Sequence, residues 1–244
     1  MYTMDGRVAF SQINERGYLS IEGILNCLQD CCTFHSEDVG YTVRGLADAH
    51  RGWFVTSWQI QVTDLPAHGD CYVVRTMPTD VRGMIGERYF AVENPEGTHT
   101  YFRAKSLWVY MDTQKARPAR IPEGMAEAYT IDPVPEGTWG SRKIALAENL
   151  EEVYHFQVSN WQLDTNHHMN NKRYVEQSSA LLPPDFRLGG MRIEYKKQAV
   201  LGDVVHVKRA DLPNGMQIQM LNDAGELYFV MDFYRSNEDE ICSN

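Results

Sequence analysis

Two tandem copies of one α+β unit, each an antiparallel sheet wrapped around a single helix, are what this chain predicts. Three observations carry the prediction. Runs of alternating apolar and polar residues dominate both halves; one amphipathic helix pattern sits in the same place in each half; and "QIQVTDLPAHGD" (59–70) lies over "RIEYKKQAVLGD" (192–203) without a gap. That overlay matches Ile60 with Ile193 and the Gly69-Asp70 pair with Gly202-Asp203. Self-similarity of this kind is the signature of an internal duplication.

In the first half, "GWFVTSWQIQVTDLP" alternates around Phe54, Thr56, Trp58, Ile60 and Val62, the pattern of a half-buried strand. "DCYVVRTMPTD", "GERYFAVEN" and "TYFRAKSLWVYMD" follow, with the tight-turn combination "NPEG" between the last two. In the second half come "GGMRIEYKKQAV", "GDVVHVKRA", "MQIQMLND" and "ELYFVMDFYR". "SIEGILNCLQDCCTF" sets Ile21, Ile24, Leu25, Leu28, Cys31 and Cys32 on one helical stripe. "NKRYVEQSSALLPP" does the same with Tyr174, Val175, Ser178, Leu181 and Leu182, and Pro183 stops it. Each half thus reads strand, helix, four antiparallel strands, which is the hot-dog arrangement; the chain is expected to be a double hot dog. The expected divisions are a first hot dog over 1–112, a connector rich in proline and glycine over 113–150, a second hot dog over 151–236 and an acidic tail over 237–244.

The formal net charge of -10 argues against sequence-blind binding to nucleic acid, which needs a basic face. No segment approaches the ~18 apolar residues of a membrane span. "MYTMDGRVAF" lacks the basic and apolar regions of a signal peptide, so a cytoplasmic location is expected. Five cysteines, three of them in one helical run, read as reduced thiols rather than a disulfide framework. Cys27 and Cys31 have the i, i+4 spacing of a metal pair, but no further pair with ligand spacing joins them. No metal and no cofactor are expected.

One stretch, "QLDTNHHMNNKRYVEQ" (162–177), concentrates polar groups before the second helix. The duplication supplies its control, because "NERGYLS" (14–20) lies over "DTNHHMN" (164–170). Leu19 matches Met169, and Ser20 matches Asn170, both good N-caps. Asn14, Arg16 and Tyr18 stand where the second copy has Asp164, Asn166 and His168. Capping alone does not require that acid, amide and imidazole. Beside a helix N-terminus that favours negative charge they have the composition of a hydrolytic site. A plain polar turn remains the other reading of the spacing. His167, next to His168, is expected to point the opposite way in an extended turn and to be solvent-facing or structural.

"LDTNHHMNNKRYVE" resembles the "LDxNxHVNNxxY" signature of the acyl-acyl-carrier-protein thioesterases, enzymes that end fatty-acid synthesis. "GDCYVVRTMPTDVRGMIGERYFAVENPEG", "AKSLWVYMDTQKARPARIP" and "RIEYKKQAVLGD" extend the resemblance over most of the chain, from about Phe10 to Arg235. The resemblance implies hydrolysis of fatty acyl-ACP, with Asp164, Asn166 and His168 in the catalytic positions. The family's further acid falls on Gln198, and its cysteine falls on Ala199, which has no thiol; covalent catalysis by a cysteine there is excluded. Direct attack by water follows, with Asp164 as base or alternatively as nucleophile, and with His168, Asn166 and Gln198 assisting. Backbone N–H groups at the start of the helix are expected to hold the oxyanion.

By the same resemblance Ile24, Leu28, Trp53, Phe54 and Trp58 lie along an acyl tunnel, ordinary core being the other reading. Lys172, Arg173, Arg192, Lys196 and Lys197 are candidates for docking acidic acyl carrier protein, against a solvated strand face with no partner. An acyl-CoA thioesterase and a non-catalytic acyl-binding protein are the competing functions. A homodimer is expected, although one chain already holds two hot dogs.

Overall fold

The computed structural model describes residues 1–133, 137, 139–164 and 166–236; the expected tail, with Cys242, lies outside the described residues. The chain divides into two compact units, a first of Met1–Trp139 and a second beginning at Gly140. The first contains β1 (Tyr2–Arg7), α1 (Ile21–Asp38), α2 (Val43–Asp48), β2 (Arg51–Val62), β3 (Cys71–Arg82), β4 (Ile85–Glu93) and β5 (Thr100–Asp112). A two-residue β6 (Arg117–Pro118) and a short α3 (Met125–Tyr129) complete it. The second contains β7 (Glu151–Gln157), α4 (Asn171–Ser179), β8 (Leu188–Tyr195), β9 (Val204–Leu212), β10 (Gly215–Leu221) and β11 (Leu227–Arg235).

Within the units the strands run β1-β3-β4-β5-β2 and β7-β9-β10-β11-β8, the same permutation twice. Neighbouring strands within each unit are antiparallel. This is the double hot-dog fold. No helix among the described residues is long and apolar enough to cross a membrane.

The helices start where their caps dictate. Ser20 Oγ accepts from Gly23 N–H at 3.0 Å and Asn170 Oδ1 accepts from Lys172 N–H at 3.0 Å. The α1 stripe, Ile24, Leu25, Leu28, Cys31 and Cys32, is buried, and the Cys31 thiol points at the Val74 carbonyl of β3. Burial pushes the Cys31 thiol up to about 12 and Cys32 to about 11, so both behave as apolar filling. α4 ends earlier than its apolar pattern, at Ser179, leaving Leu181 and Leu182 in turns. The Ser178 and Ser179 hydroxyls donate to the carbonyls of Tyr174 and Glu176, competing with continuation of the helix.

β2 departs from simple alternation. Its register with β5 slips between Val55 and Ser57, so Thr56 is an extra, bulged residue. Val55, Trp58, Ile60 and Val62 therefore share the buried face, and Trp53, opposite Tyr110, joins them. Phe54 takes the other face.

Residues 113–150 are not bare connector. Met125 and Tyr129 of α3 bury against Tyr110, Trp53, Tyr41 and Leu46. Farther on, Ile144 N–H donates to Glu194, Ala147 N–H donates to Gln217, and the Gln217 and Gln219 amides donate back to Ala145 and Ala147. This strap covers the outer face of β8 and β10 and satisfies side chains that would otherwise be orphaned there.

The buried face of the first sheet includes a buried cation, Arg88, only 8% exposed. Its guanidinium donates to His35 Nδ1 at 2.9 Å and lies 5.3 Å from the Tyr129 ring centroid. Burial, and then the Arg88 charge, lower the His35 pKa from 6.5 to about 4. The unfolded chain takes up a proton near 6.5 that the folded chain refuses until about 4. The stabilising contribution is full above 6.5 and is lost as pH falls toward 4. Urea unfolding across that window will show His35→Gln losing less stability than the parent; equal losses would contradict this account.

Candidate active site

The stretch between β7 and α4 folds as a tight loop built on one carboxylate oxygen. Asp164 Oδ1 accepts from Asn166 N–H at 2.8 Å and from His168 N–H at 3.2 Å. Asp164 N–H donates to the His168 carbonyl at 2.8 Å, and His167 N–H to the Asp164 carbonyl at 3.1 Å. The first copy repeats each bond. Asn14 Oδ1 accepts from Arg16 and Tyr18, Asn14 N–H donates to Tyr18, and Gly17 N–H donates to Asn14. His167 has φ 61°, the left-handed conformation that its twin Gly17 adopts at 82°. It is exposed, and the chain turns at it instead of running extended.

The shared job of Asp164 and Asn14 uses only one oxygen. Asp164 Oδ2 has no hydrogen-bond partner among the described residues, and its negative charge has no counterpart in Asn14. His168 is half-buried, with its Nδ1 shielded and unpartnered among the described residues. Asn166 is exposed. What joins Asp164, Asn166 and His168 is the backbone bonding to Asp164 Oδ1, and no bond between their side chains occurs among the described residues.

Gln198 was expected on a strand; it lies instead in the exposed turn after β8, which ends at Tyr195. The chain leaves the ladder because both Lys196 and Lys197 N–H groups donate to the one Tyr228 carbonyl. The next residue ties this turn to the loop. Ala199 O accepts from Met169 N–H at 2.8 Å, and Ala199 N–H donates to the Tyr174 hydroxyl at 3.0 Å. His168 and Val200 form an antiparallel bridge alongside. In the first copy Pro66 stands at the place of Ala199, accepting from Leu19 N–H but having no N–H to satisfy, and Ile24 stands at the place of Tyr174. Tyr174, which the apolar stripe presents as core, is therefore a polar anchor. The signal was available in the sequence, as a tyrosine whose twin is an isoleucine. Burial pushes its hydroxyl up to about 12, so it stays neutral.

Of the N–H groups at the start of α4, Lys172 is taken by Asn170 Oδ1 and Arg173 by the Asn170 carbonyl at 2.8 Å. Asn171 N–H, the first of the helix, has no partner among the described residues, which makes it the candidate donor at the expected anion-binding end.

The expected docking cations all have internal partners. Lys172 and Arg173 reach Glu176 at 3.6 and 2.7 Å, and Arg173 lies 4.6 Å over the exposed Trp161 ring. Lys196 pairs with Glu194 and Lys197 with Glu226. Arg192 does not join this group: it donates to the Ser141 and Lys143 carbonyls of the strap, because its strand position faces the covered side of the sheet. Ile24, Leu28 and Trp58 are buried in the first unit, and Trp53 and Phe54 are half-buried on opposite faces of β2.

The two copies make the loop's energetics testable. Asp164→Asn keeps the acceptor that Asn14 supplies in the twin, so urea unfolding should change by less than ~0.5 kcal/mol. Asp164→Ala removes it and should cost about 1 kcal/mol, while Tyr174→Phe leaves the buried Ala199 N–H unpaired at a cost of about 1–3 kcal/mol. A Tyr174→Phe variant as stable as the parent would remove the anchoring role.

Comparison with known proteins matches this architecture. The acyl-ACP thioesterase N-terminal domain model matches residues 1–129 and the C-terminal domain model matches residues 146–230. The chain is 27% identical over 246 residues to a chloroplastic palmitoyl-acyl carrier protein thioesterase of Gossypium hirsutum, covering 89% of this chain and 59% of the relative. The chain thus spans only a little over half the length of the curated relatives it matches. In fold it is similar to an acyl-ACP thioesterase from Bacteroides thetaiotaomicron, with TM-score 0.86, 20% identity and coverage of 96% and 97% of the two chains. It is similar also to the 12:0-ACP thioesterase from Umbellularia californica, with TM-score 0.79, 17% identity and 96% coverage of both. With one domain model on each unit, the chain belongs to the acyl-ACP thioesterase family.

Proposed function

We propose that the protein hydrolyses fatty acyl-ACP to free fatty acid and acyl carrier protein. The observation that carries this reading is the difference between two superimposable loops. Where the first copy has Asn14 and Tyr18, the second has a carboxylate with one oxygen, and an imidazole with a shielded nitrogen, that have no partner among the described residues. Family membership supports the reaction class.

In the proposed reaction Asp164 takes a proton from water as the water oxygen bonds to the thioester carbonyl carbon. The oxyanion is held by Asn171 N–H at the helix start. Collapse breaks the C–S bond, and the proton reaches the departing thiolate with His168 as its carrier. Asn166 orients the carbonyl, and Gln198, held beside the loop through Ala199, positions the water through its amide. Tyr174 acts through Ala199 and does not touch substrate.

For the acyl chain we propose the buried face of the first unit, with Ile24, Leu28, Trp53 and Trp58; Phe54, on the opposite face of β2, is left out. For the carrier protein we propose Lys172, Arg173, Lys196 and Lys197, which would exchange their internal carboxylates for those of the acidic partner. Arg192, held by the strap, is left out. The free thiols of Cys27, Cys31, Cys32 and Cys71 suit a reducing, cytoplasmic setting.

Hydrolysis of a panel of acyl-ACPs, with the matching acyl-CoAs alongside, tests the reading. Turnover on acyl-ACP should exceed that on acyl-CoA, and should fall steeply with added salt where hydrolysis of a small thioester does not. Asp164→Asn and His168→Ala should each lower kcat by ~10²–10⁴-fold while their unfolding curves stay near that of the parent. Near-normal turnover in both variants would remove the proposed site.

A further inference from the structure

A second cluster of chemistry-bearing side chains lies on the outer face of β7 and β9, apart from the proposed hydrolytic residues. The register of β7 against β9 slips between Glu152 and Tyr154, so Val153 is an extra residue in β7. Three positions apart on a regular strand, Glu152 and His155 would face opposite ways. The bulge returns both to one side, where His155 sits directly opposite His206 and Glu152 opposite Lys208. Tyr154 and Phe156 take the other face, and the Tyr154 hydroxyl bonds to Gln177 of α4.

The resulting geometry is that of a ligand set. Glu152 Oε1 lies 3.1 Å from His206 Nδ1 and 3.5 Å from His155 Nδ1. One ligand atom from each of the three residues lies within 4.8 Å of the others. Ligands about 2.0–2.2 Å from a tetrahedral zinc ion are themselves roughly 3.3–3.6 Å apart, so the site needs little adjustment to close on one. The other nitrogen of His206 is already engaged: Nε2 lies 2.8 Å from Asp223 Oδ1. A ligating histidine that gives its remaining N–H to a carboxylate is the usual outer-shell arrangement, fixing both tautomer and ring orientation.

We propose that Glu152, His155 and His206, backed by Asp223, form a surface site for a divalent transition-metal ion of the zinc class. Two imidazoles with one carboxylate select such an ion over magnesium or calcium, which take oxygen ligands. Water completes the coordination, since Glu152 and His155 are exposed. Without metal, Asp223 and Glu152 flank the His206 ring, 2.8 and 3.1 Å from its Nε2 and Nδ1. Lys208 shares the face and its charge moderates the affinity. Bound metal would tie β7, the terminal strand of the second unit's sheet, to β9.

Calorimetric titration of the chelator-treated full chain with zinc chloride, in a Cys71→Ser, Cys242→Ser background that removes the thiol exposed among the described residues and the one in the tail, tests this. The expected result is one saturable zinc per chain, a rise in Tm with zinc, and no saturable binding of calcium or magnesium. His155→Ala and His206→Ala should each weaken zinc binding at least tenfold, and Asp223→Asn ~10–100-fold. Zinc-free melting shows whether each variant is folded. Should His206→Ala unfold, Glu152→Gln and His155→Ala, both at exposed positions, decide the matter. No saturable zinc binding by the parent, or undiminished binding in folded His155→Ala, would overturn the proposal.

Discussion

Much of the second unit's organisation depends on a single acceptor oxygen, Oδ1 of Asp164, which takes two backbone N–H groups and so closes the loop before α4. With the loop closed, the Met169 N–H meets the Ala199 carbonyl, Asn170 arrives at its capping position, and the turn carrying Gln198 is held alongside. An amide serves the same purpose in the first unit. The acid at 164 is therefore not needed for the fold. It brings charge and a second oxygen to a place where an amide is structurally adequate, and that excess is the physical ground for assigning it chemistry.

The first unit solves the opposite problem. It has no need of a polar loop side chain beyond Asn14, yet it keeps Arg88 on its buried face with a neutral imidazole, a hydroxyl and an aromatic ring for company. Charge in such a place is tolerated because His35 remains unprotonated and accepts from the guanidinium. Stability is conceded to acid in exchange.

The fold was legible because duplication made each half a check on the other: caps, helix stripes and the shared Gly-Asp turns agree in both. Period-two reading fails at Thr56, where the bulge reverses parity and puts Trp53, not Phe54, on the face of Trp58, Ile60 and Val62, and it does not find the bulge at Val153. A bulge needs its partner strand to be seen. The sequence pattern carries β8 on to Gln198, three residues past its end at Tyr195, because the double donation to Tyr228 that ends the strand is a long-range interaction. Arg192 looks available in the sequence for the same reason: the strap that covers it lies some fifty residues earlier in the chain. The loop residues themselves were visible, but Asp164's backbone duty was not, since spacing does not reveal which N–H groups a carboxylate accepts.

The pairing of Tyr174 with Ala199, against Ile24 with Pro66, has a consequence for how the two halves drifted apart. Replacing Pro66 by alanine alone would bury a bare N–H against isoleucine, and replacing Ile24 by tyrosine alone would bury a hydroxyl with nothing to receive it. Neither single step toward the other half is favourable, although the two together would be. Such sign epistasis would act as a ratchet against gradual exchange between the two pairs, because each single step leaves a buried polar group without a partner.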